Sequence, residues 1–252
     1  MKFIILGCGS SMGVPRADGF FGSCNPKNPK NYRTRCSALI VSNYKKVLID
    51  TSPDLRIQLL KNKIKNIDTV VYSHNHADQT HGINDLRVFY IKNRNKIPVY
   101  ADKITKKYLS KSFSYCFKRF KDYPPTLKLH DIKKKLNFGK SIKVETVNVK
   151  HGSIESLAFI INKKIAYMPD VNEIYQKDYK KFKNLNYLVI DCLRFKFHPS
   201  HFNLDDVLKL NIFLNPKKMI LTNLHTDLDY NNLLNILPNN IKPAYDGLSL
   251  NF

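Results

Sequence analysis

The chain has 252 residues, 43% of them hydrophobic, and carries a formal net charge of +22 at pH 7. This length suits one large α/β domain or two small ones and is sufficient for a hydrophobic core. No apolar run approaches the ~18 residues of a membrane helix, and the apolar start at residues 1–6 is too short for a secretory signal, so we expect a cytoplasmic protein.

The positive charge comes from 42 Lys and Arg residues against 20 acidic residues. Such an excess often indicates nucleic-acid binding, which needs a clustered basic patch. Here the lysines are scattered, and Asn and Ile are also abundant, as AT-rich codon usage would produce. We therefore expect a small anionic substrate, and nucleic acid remains an alternative. The five widely spaced cysteines favour reduced thiols.

The first predicted strand covers residues 2–6, and a Gly-, Pro- and Asn-rich segment follows over 7–36. A loop of this length inside a compact domain is usually functional, although a solvated surface connection is the alternative. Arg35 lies near its end, where charge and loop position make it a candidate phosphate contact.

A β-hairpin is predicted from residues 37–41 and 46–50, and Pro53 then begins a helix that runs to about Leu60. Asp50 ends the second strand of this hairpin. Its side chain either caps the following turn or supports a functional group nearby.

The most informative stretch follows a predicted buried strand over residues 68–72. His74, His76 and Asp78 alternate there at i, i+2 and i+4. In a turn that leaves a strand, this spacing can direct all three side chains to one point. Imidazole and carboxylate groups are the ligands that Zn²⁺ and related metals accept, so the stretch predicts a metal site. A polar loop with chance histidines is the alternative.

Downstream of this loop, the pattern predicts a short helix over residues 80–88, a strand at 98–100 and a basic helix at 102–112. Residues 113–140 are aromatic and rich in lysine. This segment could form a cleft wall or a homodimer contact, and the sequence does not decide between them.

The second half repeats the strand-rich theme at 141–149, 157–162 and 164–168. His151 follows the first of these strands and Asp170 follows the last. Residues of these types after strands are usually turn residues. Their position at strand exits also makes them candidate ligands.

The remaining predicted elements are a buried strand at 187–191, a helix from Asn203 to about Phe213, a strand at 218–222, a helix near 229–236 and strands near 241–251. His201 precedes the helix, and His225 follows the 218–222 strand. No linker or low-complexity segment interrupts the chain, so we predict a single domain over 1–252.

Taken in order, these motifs resemble the metallo-β-lactamase-fold hydrolases, whose hallmark is His-x-His-x-Asp-His after a strand. The Gly7–Pro15 segment (GCGSSMGVP) resembles the opening loop of the branch that contains the cyclic-phosphate phosphodiesterases of phosphonate breakdown and, more distantly, the tRNA 3′-processing nucleases. The other matching motifs are Leu48-Ile49-Asp50-Thr51, His151-Gly152, Asp170, His225 and Tyr245-Asp246-Gly247-Leu248. The resemblance implies an αββα sandwich with an active site along one edge.

The resemblance also implies a set of metal ligands. It assigns one divalent ion to His74, His76 and His151. A second ion, zinc or manganese like the first, falls to Asp78, Asp170 and His225, with Asp170 as the bridge. Metal-activated water would then attack phosphorus or a carbonyl carbon.

Gln79 departs from the family pattern, which has His at this position. A Gln amide offers only a neutral carbonyl oxygen, which is a poor ligand for Zn²⁺. The second metal site could bind its ion weakly, prefer a harder ion or be absent. We expect a weakened but occupied second position, with Gln79, Asp50 and Asp246 supporting the ligands.

His201 matches a family His that lies over the substrate phosphate and can act as general acid. We therefore count Asp78 and His201 as catalytic. Arg35 and Arg194 are candidate substrate contacts, on position and charge alone.

We expect a metal-dependent phosphodiesterase that acts on a small phosphate diester, which could be cyclic. The alternatives are a thioesterase or RNA 3′-end nuclease on the same fold, or a non-catalytic binding or biosynthetic protein. Gln79 is the feature that favours the non-catalytic alternative.

Overall fold

The computed structural model describes all of residues 1–252, and its strands form two seven-stranded sheets. The strands are β1 (Lys2–Gly7), β2 (Ser37–Val41), β3 (Lys46–Ile49), β4 (Thr69–Val71), β5 (Ile97–Ala101), β6 (Leu127–Asp131), β7 (Lys135–Phe138), β8 (Ile142–His151), β9 (Ile154–Ile161), β10 (Ile165–Met168), β11 (Tyr187–Asp191), β12 (Lys218–Thr222), β13 (Ile241–Pro243) and β14 (Leu248–Asn251). The first sheet has the order β14-β1-β2-β3-β4-β5-β6, and the second has the order β13-β12-β11-β10-β9-β8-β7.

Eight α-helices connect or flank these strands: α1 (Leu55–Lys61), α2 (Ala77–Thr80), α3 (Arg87–Asn93), α4 (Lys103–Ser112), α5 (Ser114–Phe117), α6 (Tyr179–Phe182), α7 (Leu204–Leu214) and α8 (Tyr230–Ile236). Short 3₁₀ helices occur at Pro29–Asn31, Ile83–Leu86 and Gln176–Asp178. No helix combines the length and the apolar character that crossing a membrane would require.

The central core lies between the two sheets, because alternate residues of each strand point inward. Phe3 and Ile5 of β1 face Phe159 of β9 and Tyr167 of β10, and all four are fully buried. The rings of Phe3 and Tyr167 lie 5.4 Å apart. Each such side chain contributes roughly 1.5–3 kcal/mol on burial, so the facing strands hold the sheets together.

Helices cover the outer face of each sheet through separate apolar clusters. Leu55 and Leu59 of α1 pack with Val70 of β4 on the first sheet. Val207 and Leu214 of α7 join the cluster on the second sheet. The layer order is therefore helix, sheet, sheet, helix, which confirms the predicted αββα sandwich.

Parallel strands bring distant polar residues to one edge of the sandwich. In the first sheet β3 and β4 run parallel, and in the second sheet β10, β11 and β12 run parallel. The carboxyl ends of parallel strands meet at the same edge, where ligand sites commonly form. A bond from the amide of Leu157 to the carbonyl of Ser73, 3.0 Å long, joins the two sheets there.

Two sequence-based expectations differ from the structure. The helix predicted over residues 80–88 is instead divided into α2, a 3₁₀ turn and α3. The 113–140 segment contains α5, β6 and β7, which periodicity did not reveal. Their few buried positions, such as Cys116, Leu136 and Phe138, are separated by exposed residues, many of them lysines, so the apolar signal is weak. The prediction of a single domain over 1–252 stays a prediction.

Candidate active site

A cleft of about 330 Å³ opens at the edge where the strand ends converge. Polar side chains dominate its wall, and only Met12 and Leu193 are hydrophobic. The residues that line it are Ser10, Ser11, Met12, His76, Asp78, His151, Asp170, Leu193, Arg194, His198, Ser200, His201, Asn223 and His225. The cleft thus collects residues from the first, middle and last parts of the chain.

Three histidines meet at the floor of the cleft. Ligand atoms of His74, His76 and His151 all lie within 4.8 Å of one another. Nε2 of His151 is 3.3 Å from Nδ1 of His76, and the ring centres of His74 and His76 are 4.5 Å apart. Nε2 of His74 is buried and has no hydrogen-bond partner. Because a buried polar atom is rarely left unsatisfied, this nitrogen indicates a ligand between the three rings.

Hydrogen bonds fix the orientation of two of these rings. Asp50 accepts bonds from the backbone amide of Ser73 at 2.7 Å and from its hydroxyl at 2.8 Å. The Ser73 hydroxyl oxygen is then free to accept a hydrogen bond from Nδ1–H of His74, 3.0 Å away, which leaves Nε2 as the unprotonated nitrogen. Nδ1 of His151 likewise donates to the carbonyl of Ser200 at 2.7 Å.

The surroundings keep the imidazoles of His74 and His151 neutral. Burial lowers the pKa of His74 well below its ordinary value, and the nearby histidines lower it further. Burial and the neighbouring His201 lower the pKa of His151 to about 4. Neutral imidazoles with aligned lone pairs are the form that binds metal. The three residues therefore fit one divalent cation.

The carboxylates of the cleft carry a different set of contacts. Burial raises the pKa of Asp170 well above the ordinary value, and Asp78 adds to that rise. Each oxygen of Asp170 accepts a bond from a side-chain amide: Nε2 of Gln79 lies 2.9 Å from Oδ2, and Nδ2 of Asn223 lies 3.2 Å from Oδ1. Gln79 and Asn223 are both buried. The two amides thus enclose the carboxylate that was expected to bridge two ions.

His201 lies next to His151, with ring centres 4.7 Å apart, and beside a fully buried carboxylate. Its Nδ1 lies 2.6 Å from Oδ2 of Asp191, which also accepts the backbone amide of Val171 at 3.0 Å. Burial opposes the charged form of His201, but Asp191, Asp170 and Asp78 together raise its pKa to about 9. The imidazole is therefore protonated at neutral pH.

His225 lies on the cleft wall but joins neither group of closely spaced ligand atoms, which are His74-His76-His151 and His151-Asp170-His201. Its Nδ1 is 3.0 Å from Oδ1 of Asp227. Asn223, two residues earlier, is the residue of this loop that contacts Asp170. The ligand role of His225 stays a prediction.

The two arginines predicted to contact substrate lie in different places. Arg194 lines the cleft, and its guanidinium is held by the carbonyls of Lys196 and Phe197. Arg35 does not line the cleft; its Nε and Nη2 each lie 2.7 Å from Asp54. The bidentate ion pair with Asp54 occupies the guanidinium that was expected to meet phosphate.

Asp246 lies behind the cleft and acts on the opening loop. It accepts bonds from the backbone amides of Cys8 and Thr34, at 3.1 and 2.8 Å, and from the Thr34 hydroxyl at 2.6 Å. It therefore fastens both ends of the 7–36 segment. His81 lies outside the cleft and contacts the hydroxyl of Tyr108 at 2.9 Å.

Sequence reasoning missed Asp191 and Asn223. A signal existed for Asp191, because it ends the apolar run Tyr187–Ile190 in the same way that Asp50 ends its strand. Asn223 follows β12 directly and adopts a left-handed backbone with φ of 61°. Asn is among the few residues that tolerate this conformation, so a turn residue was the natural interpretation.

Comparison with known proteins gives consistent matches. Residues 45–223 match the beta-lactamase superfamily domain. A crystal structure described as a new diphosphatase from the PhnP family has 32% sequence identity and a TM-score of 0.91, over 100% of this chain and 97% of the other. This match confirms the predicted resemblance to the phosphodiesterase branch of the metallo-β-lactamase fold. The short form of human tRNase Z shares the fold, with 13% identity and a TM-score of 0.69 over 100% of this chain and 99% of the other.

A curated relative from Porphyromonas gingivalis, named octanoyltransferase, is 32% identical over 254 residues. The match covers 98% of this chain and 51% of the relative. The chain therefore spans about half the length of that protein.

Proposed function

Since this chain belongs to the beta-lactamase superfamily, we propose that it is a metal-dependent phosphodiesterase that hydrolyses a small anionic phosphate diester. The observation that carries the proposal is that His201, with its Nδ1 bonded to Asp191 at 2.6 Å, faces the same cleft as three converging histidines. This arrangement places an acid beside a cation site, as hydrolysis of a poor leaving group requires.

His74, His76 and His151 are the residues that would hold the cation. A divalent ion bound by them would supply a nucleophile near neutral pH, because such ions lower the pKa of bound water from about 15.7 to about 7. The hydrogen bonds that Nδ1 of His74 donates to Ser73 and Nδ1 of His151 donates to Ser200 orient two of the three rings for this task. Such outer partners of metal-binding His residues typically change affinity by about 10–100-fold.

His201 would donate a proton to the leaving oxygen. Asp191 holds the Nδ1 proton through the 2.6 Å contact, so Nε2 is the atom available to the substrate. A general acid of this kind contributes typically about 10²–10⁴-fold. The buried carboxylate also favours the charged form of His201, which takes a new proton from solvent water after each transfer.

Charge and polarity of the cleft favour a phosphate group. Arg194 and His198 line the wall beside His201, and guanidinium groups bind phosphate oxygens in a bidentate manner. The cleft is small, at about 330 Å³, which suits a compact ester. The 32% identity with a PhnP-family diphosphatase makes phosphoanhydride cleavage the second candidate.

Octanoyl transfer is less well supported by the cleft. An eight-carbon chain gains roughly 0.8 kcal/mol for each buried CH₂ group, and this wall offers only Met12 and Leu193 as hydrophobic partners. No Lys or Cys side chain lines the cleft to carry an acyl group. We therefore assign the octanoyltransferase name to the longer relative and not to this chain.

The test is hydrolysis of a substrate panel by the purified protein with Zn²⁺ or Mn²⁺. The panel contains bis-p-nitrophenyl phosphate, inorganic diphosphate, an octanoyl thioester and a β-lactam. We expect turnover of the diester, abolished in His74→Ala and retained in His81→Ala, because His81 lies outside the cleft. Turnover of the thioester alone would contradict the proposal, and turnover of none would favour a binding protein.

A further inference from the structure

The polar groups around Asp170 are unlike those of a cation site. Gln79 and Asn223 present amides to this carboxylate, and both are buried along with it. Nε2 of Gln79 lies 2.9 Å from Oδ2 of Asp170 and 3.4 Å from Oδ2 of Asp78. The nitrogen therefore contacts both carboxylates at once, which is the position that a bridging cation would take.

The donor assignment of each amide follows from its partners. If the Gln79 amide were turned over, its carbonyl oxygen would face two carboxylates, and this arrangement is repulsive. Nδ2 of Asn223 faces the carbonyl of Pro169 at 3.2 Å and Asp170 at 3.2 Å, so it must also donate. Oε1 of Gln79 is left without a partner. Charge-assisted bonds to two carboxylates offset the cost of that unsatisfied oxygen.

The remaining group of nearby ligand atoms does not supply an alternative. His151, Asp170 and His201 lie within 4.8 Å of one another. His201, however, uses Nδ1 to donate to Asp191, and His151 already belongs to the three-histidine group. For a second ion there remain carboxylates that are bonded to amides, and His225, which joins neither close group and has Nδ1 3.0 Å from Asp227.

We infer that the cleft binds one divalent cation, at His74, His76 and His151, and that the amides of Gln79 and Asn223 replace a second cation between Asp78 and Asp170. This inference rests on the proposed cation site and departs from the expected weak but occupied second position. The amide hydrogens supply the positive partners that these buried carboxylates need, with fixed geometry and no dependence on metal concentration.

The experiment measures metal ions per chain. Wild-type protein is saturated with Zn²⁺ or with Mn²⁺, desalted, and examined by native mass spectrometry and elemental analysis. We expect one ion per chain with either metal. The double variant Gln79→His/Asn223→His provides two imidazoles beside Asp170 and is expected to bind two ions. Asn211→His, whose amide pairs with Asn240 outside the cleft, is the matched control and should stay at one.

Two ions in the wild-type protein would overturn the inference, and so would a folded double variant that still binds one. The wild-type count decides the matter even if the double variant fails to fold. This readout is separate from activity. One ion per chain without diester turnover would contradict the proposed function and leave the inference standing. Two ions per chain with diester turnover would support the proposed function and overturn the inference.

Discussion

Nδ1 of His201 lies 2.6 Å from Oδ2 of Asp191, a carboxylate with no exposed surface at the end of β11. The two residues come from opposite ends of the loop that carries Arg194 and His198, so the loop is closed on itself by this contact. It fixes which ring nitrogen of His201 faces the cleft. It also keeps the ring charged, with a pKa of about 9.

Replacing His201 should reveal an acid through the leaving group. In His201→Ala we expect turnover of a diester with an alkoxide leaving group to fall by about 10²–10⁴-fold. Loss with a p-nitrophenolate leaving group should be much smaller, since that anion departs without a proton. The measurement is kcat for both esters in wild type and variant. Equal losses for both, or a loss within about twofold for the alkoxide, would refute the acid role.

Asp191→Asn should shift the pH dependence of the reaction. The group is a His with a raised pKa, so its acid form is present at low pH and is lost as pH rises through about 9. Without the carboxylate the pKa should return toward its ordinary value of about 6.5. We expect the alkaline limb of the pH profile of kcat/KM to shift to lower pH, so that activity at pH 8 drops on the order of tenfold or more. An unmoved limb would show that Asp191 only supports the fold.

Removing the Ser73 hydroxyl should weaken metal binding. Ser73 connects Asp50 to Nδ1 of His74, with contacts of 2.8 and 3.0 Å. In Ser73→Ala we expect zinc affinity to fall by about 10–100-fold, as measured by competition with a chromophoric chelator. Ser156→Ala is the matched control, because that hydroxyl is buried without a hydrogen-bond partner and outside the cleft. Equal affinities for the two variants would exclude the orienting role.

The two arginines should respond differently to truncation. Arg194→Ala removes a cation from the cleft wall and should raise KM for an anionic diester by roughly tenfold or more, the cost of a charge-assisted hydrogen bond of about 1.5–3 kcal/mol. Arg35→Ala breaks the ion pair with Asp54 and should lower the free energy of unfolding with little effect on KM. Steady-state kinetics and urea denaturation separate the two effects. A larger KM change in Arg35→Ala would reassign the substrate contact.

Asp246 should give the protein a measurable pH dependence of stability. Burial raises its pKa to about 6, although the bonds from Thr34 and Cys8 oppose the rise. Because the folded state binds this proton more tightly than the unfolded chain, the stabilisation is complete below about pH 4 and is lost as pH rises through 6. The stability of wild type relative to Asp246→Asn should therefore fall by up to about 3 kcal/mol between pH 4 and pH 7. Urea denaturation of both proteins across this pH range measures the difference. If the free energies of unfolding of the two proteins followed parallel curves against pH, the prediction would be contradicted.

Much of the fold was readable from local patterns. The apolar runs that end in Asp50, Ser73 and Asp191 are strands, and the αββα layers follow from the family pattern. Elements whose stability depends on a few isolated contacts were not readable. β6 and β7 combine few buried positions with exposed lysines, Lys128 and Lys135. The helix expected over 80–88 breaks into three short pieces where Gly82 packs tightly against Ser52.

By itself, the sequence determined which residue types could bind a cation and placed most of them at strand ends, because alternation and apolar runs act over a few neighbouring residues. Only the tertiary structure decided which of them share a centre. It brought His74, His76 and His151 together, left His225 on the wall, engaged Arg35 with Asp54 and set Asp191 behind His201. Those choices depend on how two sheets stack and in what register, and such contacts join residues too far apart in the chain for any local pattern to record.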